Sequence, residues 1–127
     1  MPVTYQLDQE SSFIHTRCTG EVTLEEVIRH FQELEADPLL PARLDVLLDL
    51  SEMQSLPESD QLRSVAGEIG RLEPKVKWGA CAIVASHDAL FGMIRVFEVF
   101  AEGLFADLRV FRKRAEAELW LASVRTR

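Results

Sequence analysis

A chain of 127 residues, 47% of them apolar, is long enough to bury a continuous hydrophobic core and short enough to be a single domain. Its 14 Lys and Arg face 21 Asp and Glu, and the resulting formal charge of -7 argues against nucleic acid as a partner, because a phosphate backbone demands an excess of base. No run approaches the roughly 20 apolar residues of a transmembrane segment, and residues 1–10 carry no charged-then-apolar leader, so a cytoplasmic location is expected.

Val3, Tyr5 and Leu7 alternate with polar residues at the period of a half-exposed strand, and Asp8-Gln9-Glu10-Ser11 supplies turn chemistry. Phe13 to Thr19, rich in β-branched and aromatic residues and stopped by Gly20, predicts the second strand of an antiparallel hairpin. Thr23-Leu24-Glu25-Glu26 is a capping-box pattern, with Val22 and Val27 placed as a hydrophobic staple. Leu24, Val27, Ile28, Phe31 and Leu34 then share one face of a helix that ends at Asp37-Pro38. Leu44 to Leu50, broken only by Asp45 and Asp49, reads as a central parallel strand buried on both faces. A loop from Ser51 to Glu58 leads to a second amphipathic helix carrying Leu62, Val65, Ala66, Ile69 and Leu72, with Pro74 as its stop.

Trp78 to Ala85 is a second buried strand, followed by a long helix over Asp88 to Ala106, a short strand over Leu108 to Phe111 and a last helix over about Lys113 to Ser123. The order β-β-α-β-α-β-α-β-α implies an α/β domain with a mostly parallel sheet of about five strands, the first antiparallel. The long helix is apolar over most of its circumference. Leu90, Met93, Phe97, Phe100 and Leu104 centre a core stripe, Phe91 and Phe105 flank it, and Val99 lies across the helix with Gly92 and Gly103. Two glycines on one side predict close approach by a neighbouring backbone. Phe91, Gly92, Met93, Val96, Val99 and Gly103 are therefore candidates for a homodimer contact or an apolar-ligand groove, the bland alternative being cover from the same chain.

Base is concentrated at the end of the chain. Residues 1–108 hold 8 basic and 19 acidic side chains, residues 109–127 hold 6 and 2. Arg109, Arg112, Lys113 and Arg114 read as a solvated face, with an anionic partner as the alternative.

This element order is carried by four stretches: residues 20–26 (Gly-Glu-Val-Thr-Leu-Glu-Glu), residues 46–50 (Val-Leu-Leu-Asp-Leu), residues 91–95 (Phe-Gly-Met-Ile-Arg), and residues 110–112 with 116–121. Together they resemble the STAS fold of anti-sigma-factor antagonists, and more closely its branch of small bacterial proteins related to lipid-transfer CRAL-TRIO domains. The resemblance implies a non-enzymatic protein-interaction or regulatory module, or, from the CRAL-TRIO side, a carrier of an apolar or lipid-like ligand. In phosphoswitch members a serine near the start of the helix after the third strand accepts phosphate within an Asp-Ser-Ser-Gly-like motif. The matching stretch here, residues 51–60, has no Ser-Ser pair and no following Gly; Ser59 and then Ser55 lie nearest that position, with helix capping as their structural reading.

No catalytic constellation is legible. Ser86-His87-Asp88 has the letters of a hydrolase triad, but adjacent residues point in different directions. His15 and His30 lack ligand partners at metal spacing, no Gly-rich phosphate loop occurs, and Cys18 and Cys81 form no CxxC pair and read as buried, reduced thiols; no metal or cofactor is expected. If small molecules bind beyond the carboxyl ends of the strands, the rim of Asp49, Ser51, Ser86 and His87 is the place to look. A carrier would need an apolar cavity of at least roughly 300 Å³, which the long helix, with Phe91, Met93 and Phe97, would have to line.

Overall fold

The computed structural model describes residues 2–126 and places nine elements in chain order: β1 (Val3–Asp8), β2 (Phe13–Gly20), α1 (Leu24–Ala36), β3 (Arg43–Met53), α2 (Ser59–Arg71), β4 (Lys77–Val84), α3 (Asp88–Phe100), β5 (Asp107–Phe111) and α4 (Arg114–Arg125). They form one α/β domain around a five-stranded sheet of order β1-β2-β3-β4-β5, with β1 antiparallel to β2 and the other neighbours parallel. Spatial order equal to chain order has a strong consequence. Crossovers of one hand that all step in the same direction leave every connecting helix on the same face. So α1, α2 and α3 cover one side, and α4, which connects no strands, folds back over β3, β4 and β5 on the other.

The central strands carry two different surfaces. Leu44, Val46 and Leu50 of β3 and Trp78, Cys81 and Ile83 of β4 join the core under α1–α3. Leu47, Ala80, Ala82 and Val84 pack against Ala117 and Leu121 of α4. The alanines let that helix sit close.

Two buried carboxylates hold α4 in place. Between Leu44 and Val46 the β3–β4 register slips, with Gly79 and Ala80 filling the extra length on β4. Asp45 sits at that slip; its Oδ1 accepts the Ala80 amide at 2.8 Å and its Oδ2 accepts Arg125 Nε, near the end of α4, at 3.0 Å. Asp49, four residues further along the same face of β3, lies 3.7 Å from Arg114 at the start of α4. Burial pushes the Asp49 carboxyl up, but two hydrogen bonds from Ser51 and the Arg114 charge outweigh it and leave its pKa below the ordinary value.

The structure differs from the sequence reading at three boundaries. β3 runs through Met53, because its upper end pairs with β2 past a bulge opposite Arg17–Thr19. α2 begins with Glu58 as its N-cap, so Ser59 is the first helical residue and not the cap. α3 ends at Phe100 and not Ala106: Gly103 has φ +84 and lies in the turns after the helix, where a left-handed glycine stops it.

A Cβ on Gly79 would stand 2.1 Å from Asp45 Oδ1. Gly79→Ala is therefore expected to destabilise the fold by about 2 kcal/mol, the usual scale of overpacking at a rigid site, as measured by chemical denaturation.

Candidate functional site

The face under α1 and α2 is packed less tightly than the face under α4. A cavity of about 160 Å³ lies there, floored by β2 and β3 and roofed by the two helices. Ile14, Thr16, Cys18, Val46, Leu48 and Leu50 form the floor. Val27, Phe31 and Leu34 of α1 and Leu62, Val65 and Ile69 of α2 form the roof. The void has a simple origin: Thr16, Cys18 and Cys81 are small where a leucine or isoleucine would fill the space. At the far wall Trp78 donates Nε1–H to the Ile69 carbonyl at 2.9 Å, fixing the last turn of α2 against β4.

Local capping holds the mouth. Thr23 is the one exposed lining residue among those described, so solvent reaches the cavity beside the first turn of α1. The capping box forms as the sequence predicts: Thr23 Oγ1 accepts the Glu26 amide at 3.2 Å and Glu26 Oε1 accepts the Thr23 amide at 2.9 Å. Gln61 reaches back to the Glu58 amide at 2.9 Å at the start of α2. Ser55 ties the two entrances together. Its hydroxyl accepts the Val22 amide at 2.9 Å and donates to the Val22 carbonyl at 3.3 Å, closing the loop after β3 onto the residue before the α1 cap.

His30 is the polar group most deeply set in the roof. It is buried with its ring 5.3 Å from those of Tyr5 and Phe31, and burial pushes its pKa down to about 4. Tyr5 donates to Asp37 Oδ2 at 2.7 Å, tying β1 to the end of α1; burial first and Asp37 second raise its pKa to about 12. Cys18 and Cys81 are both buried and free. Cys81 pairs with Val46, which pairs with Ile14, four residues from Cys18; the separation is therefore about 15 Å at ordinary strand spacings, beyond the reach of a disulfide. Burial pushes the Cys18 thiol up to about 12 and raises that of Cys81 as well.

The residues singled out in the sequence do not converge on this cavity. Ser55 lines it, and Ser59 stands exposed at the first position of α2. Asp49 and Ser51 face α4, where Asp49 Oδ1 accepts the Ser51 amide at 2.9 Å and its hydroxyl at 2.6 Å. Ser86 and His87 are exposed at the start of α3, two and three residues past Val84, which pairs with Asp49 across β3 and β4. The uniform direction of the crossovers also leaves no switch point where a crevice would open.

On α3, Phe97 lines the cavity whereas Phe91 and Met93 do not. Phe91 is half-buried under the Arg112 guanidinium, 4.3 Å from its ring centre, and Arg112 also pairs with Asp88, so part of the basic C-terminal patch is internal cover. Val96 and Val99 are exposed, at 37% and 68%. Gly92 has nothing from this chain within 4 Å of where a Cβ would stand, and Gly103 lies beyond the end of α3. His15, which the sequence reading took as structural, is half-buried on the α4 face with Nε2 unpartnered; burial and the nearby Arg114 lower its pKa. Among the described residues no three His, Cys, Asp or Glu side chains gather as a metal site, and no helix is long and apolar enough to cross a membrane.

An α/β sheet with consecutive strands, three helices on one face and a returning helix on the other defines a STAS-type domain. The SpoIIAA-like family model matches residues 13–122, and the chain belongs to the SpoIIAA-like family. Among solved structures it is similar to an uncharacterised protein of the DUF3478 family with a SpoIIAA-like fold from Shewanella loihica PV-4, at 20% identity and a TM-score of 0.57, over 94% of this chain and 91% of that one. No curated protein matches the chain.

Two outcomes follow from the mouth and the roof. Ser55→Ala should cost about 1 kcal/mol, because it strips a half-buried amide of its partner, whereas Ser59→Ala should stay within about 0.5 kcal/mol; thermal melts of both variants check the contrast. His30 is depressed in the folded chain, so the unfolded state binds its proton first as pH falls. Its contribution is complete above the ordinary imidazole value of 6.5 and fades toward the folded value of about 4. Stability is expected to drop by about 2 kcal/mol between pH 7 and pH 5, and His30→Phe should flatten that slope in denaturant titrations.

Proposed function

We infer that this STAS-type domain binds a small apolar molecule in the cavity beneath α1 and α2. The observation that carries this reading is the void itself. At about 24 cal/mol per Å³ for a closed void, an apolar space of about 160 Å³ costs at most about 4 kcal/mol relative to a filled core. That is a large share of the roughly 5–15 kcal/mol by which a domain is stable. An occupant would offset the loss.

The size bounds the occupant. The cavity falls short of the roughly 300 Å³ expected of a carrier for a lipid-like ligand, so the occupant is smaller than that; engineered apolar cavities of about 150 Å³ take up benzene. The fitting ligand has an apolar body of one ring or a short alkyl chain. Its wall offers the Thr16, Thr23, Ser55 and Gln61 side chains, the buried His30 imidazole, and the Cys18 and Cys81 thiols, which burial keeps protonated; that set suits holding a molecule. The interaction-module reading draws on the fold class alone.

Toluene is the probe. In an NMR titration it is expected to shift resonances of cavity residues such as Leu50, Leu62 and Ile69 while leaving Ala117 and Leu121 under α4 unmoved. Val65→Phe, which places a ring in the void, should weaken toluene binding at least tenfold without lowering the melting temperature. Absence of toluene binding, or shifts on the α4 face alone, would falsify the reading.

A further inference from the structure

We propose that the cavity selects small molecules whose apolar body carries one uncharged hydroxyl, phenol being the simplest of the class; this rests on the ligand-binding reading above and names what that site takes. Among the described residues that line the cavity there is no Asp, Glu, Lys or Arg. A charged group entering would shed its hydration with no counter-ion to meet it, so the ligand is neutral.

Two polar side chains inside the cavity are left without partners. Thr16 is 4% exposed and His30 8%, both line the space, and among the described residues neither side chain makes a hydrogen bond. Burial alone lowers the His30 pKa, with no neighbouring charge or hydrogen bond contributing, and the ring is neutral at pH 7. The described side-chain atoms that are at once sealed and unpartnered are His15 Nε2 and Glu98 Oε1. The Thr16 hydroxyl and the His30 nitrogens are unpartnered without being sealed, and the open space that both residues border is the cavity.

Tyr5 brings the two groups to one place. It pairs with Thr16 across β1 and β2, and its ring lies 5.3 Å from that of His30, so both mark the end of the cavity beside β1. A neutral imidazole offers one donor and one acceptor, and a threonine hydroxyl offers both. One ligand hydroxyl, donating to one of them and accepting from the other, satisfies the pair; a methyl group in its place satisfies neither. Leu62, Val65 and Ile69 of α2 and Phe97 of α3 remain for the apolar body.

The test compares phenol with toluene, which differ by a hydroxyl in place of a methyl, by NMR titration of the full chain at pH 7. A purely apolar cavity takes toluene in preference, because phenol gives up hydrogen bonds to water on entry. Here phenol is expected to bind at least as tightly as toluene and to shift the resonances of Thr16 and His30. Thr16→Val keeps the shape and removes the hydroxyl; it should lower the phenol-to-toluene affinity ratio about tenfold, and His30→Phe should act in the same direction. Thr16→Val should also melt no lower than the wild type, since the hydroxyl it removes has no partner in the chain. Phenol binding more weakly than toluene in the wild type overturns the hydroxyl preference and leaves the cavity reading standing, whereas failure of both to bind overturns both. With toluene still bound, an unchanged ratio in the variants overturns the assignment to Thr16 and His30. Where a variant loses toluene as well, the wild-type comparison decides.

Discussion

The position of Asp45 organises this molecule. A carboxylate buried in the middle of a sheet is stable only where donors meet it, and here the donors are a main-chain amide freed by the β4 register slip and the guanidinium of Arg125. The slip, the glycine at 79 and the docking of α4 are therefore one arrangement. With Asp49 and Arg114 holding the other end, α4 is fixed along β3 at two points on a face lined by alanines. The domain does not depend on equal packing of both faces, and the opposite face tolerates a void.

That division of labour bears on what was legible in the sequence. The capping box at Thr23 and the strand at 44–50 were plain because each is a local pattern: four residues fix one, and an unbroken apolar run bracketed by turns fixes the other. The element order and the sheet composition follow from such patterns in series. The end of α3 was hidden, since residues 101–106 prolong the apolar periodicity and only the left-handed backbone at Gly103 interrupts it. Likewise Ser59 looks like a cap by residue type, yet Glu58 holds the extended backbone that a cap requires.

The cavity was not readable at all. A void is a deficit of volume summed over β2, β3, β4, α1 and α2, and no single residue announces it. Thr16, Cys18 and Cys81 are each ordinary in a strand. The apolar excess of residues 88–106 is what the sequence displays instead, and the structure accounts for it piecemeal: Arg112 covers Phe91, Arg63 covers Phe100, Trp78 meets Phe105, and Val99 is left in solvent. Membership of the SpoIIAA-like family fixes the architecture; the distribution of empty space within it belongs to this chain's own side chains.

An interior that is dense on one side of a sheet and hollow on the other responds unevenly to compression. Unfolding volumes scale with the voids they eliminate, though they do not equal them, and a space of about 160 Å³ makes this side of the sheet the pressure-sensitive one. Hydrostatic pressure thus acts on α1 and α2 first, while α4 on its alanine floor has little volume to give up. The same sheet carries a compressible half and a stiff one, and its five strands are the boundary between them.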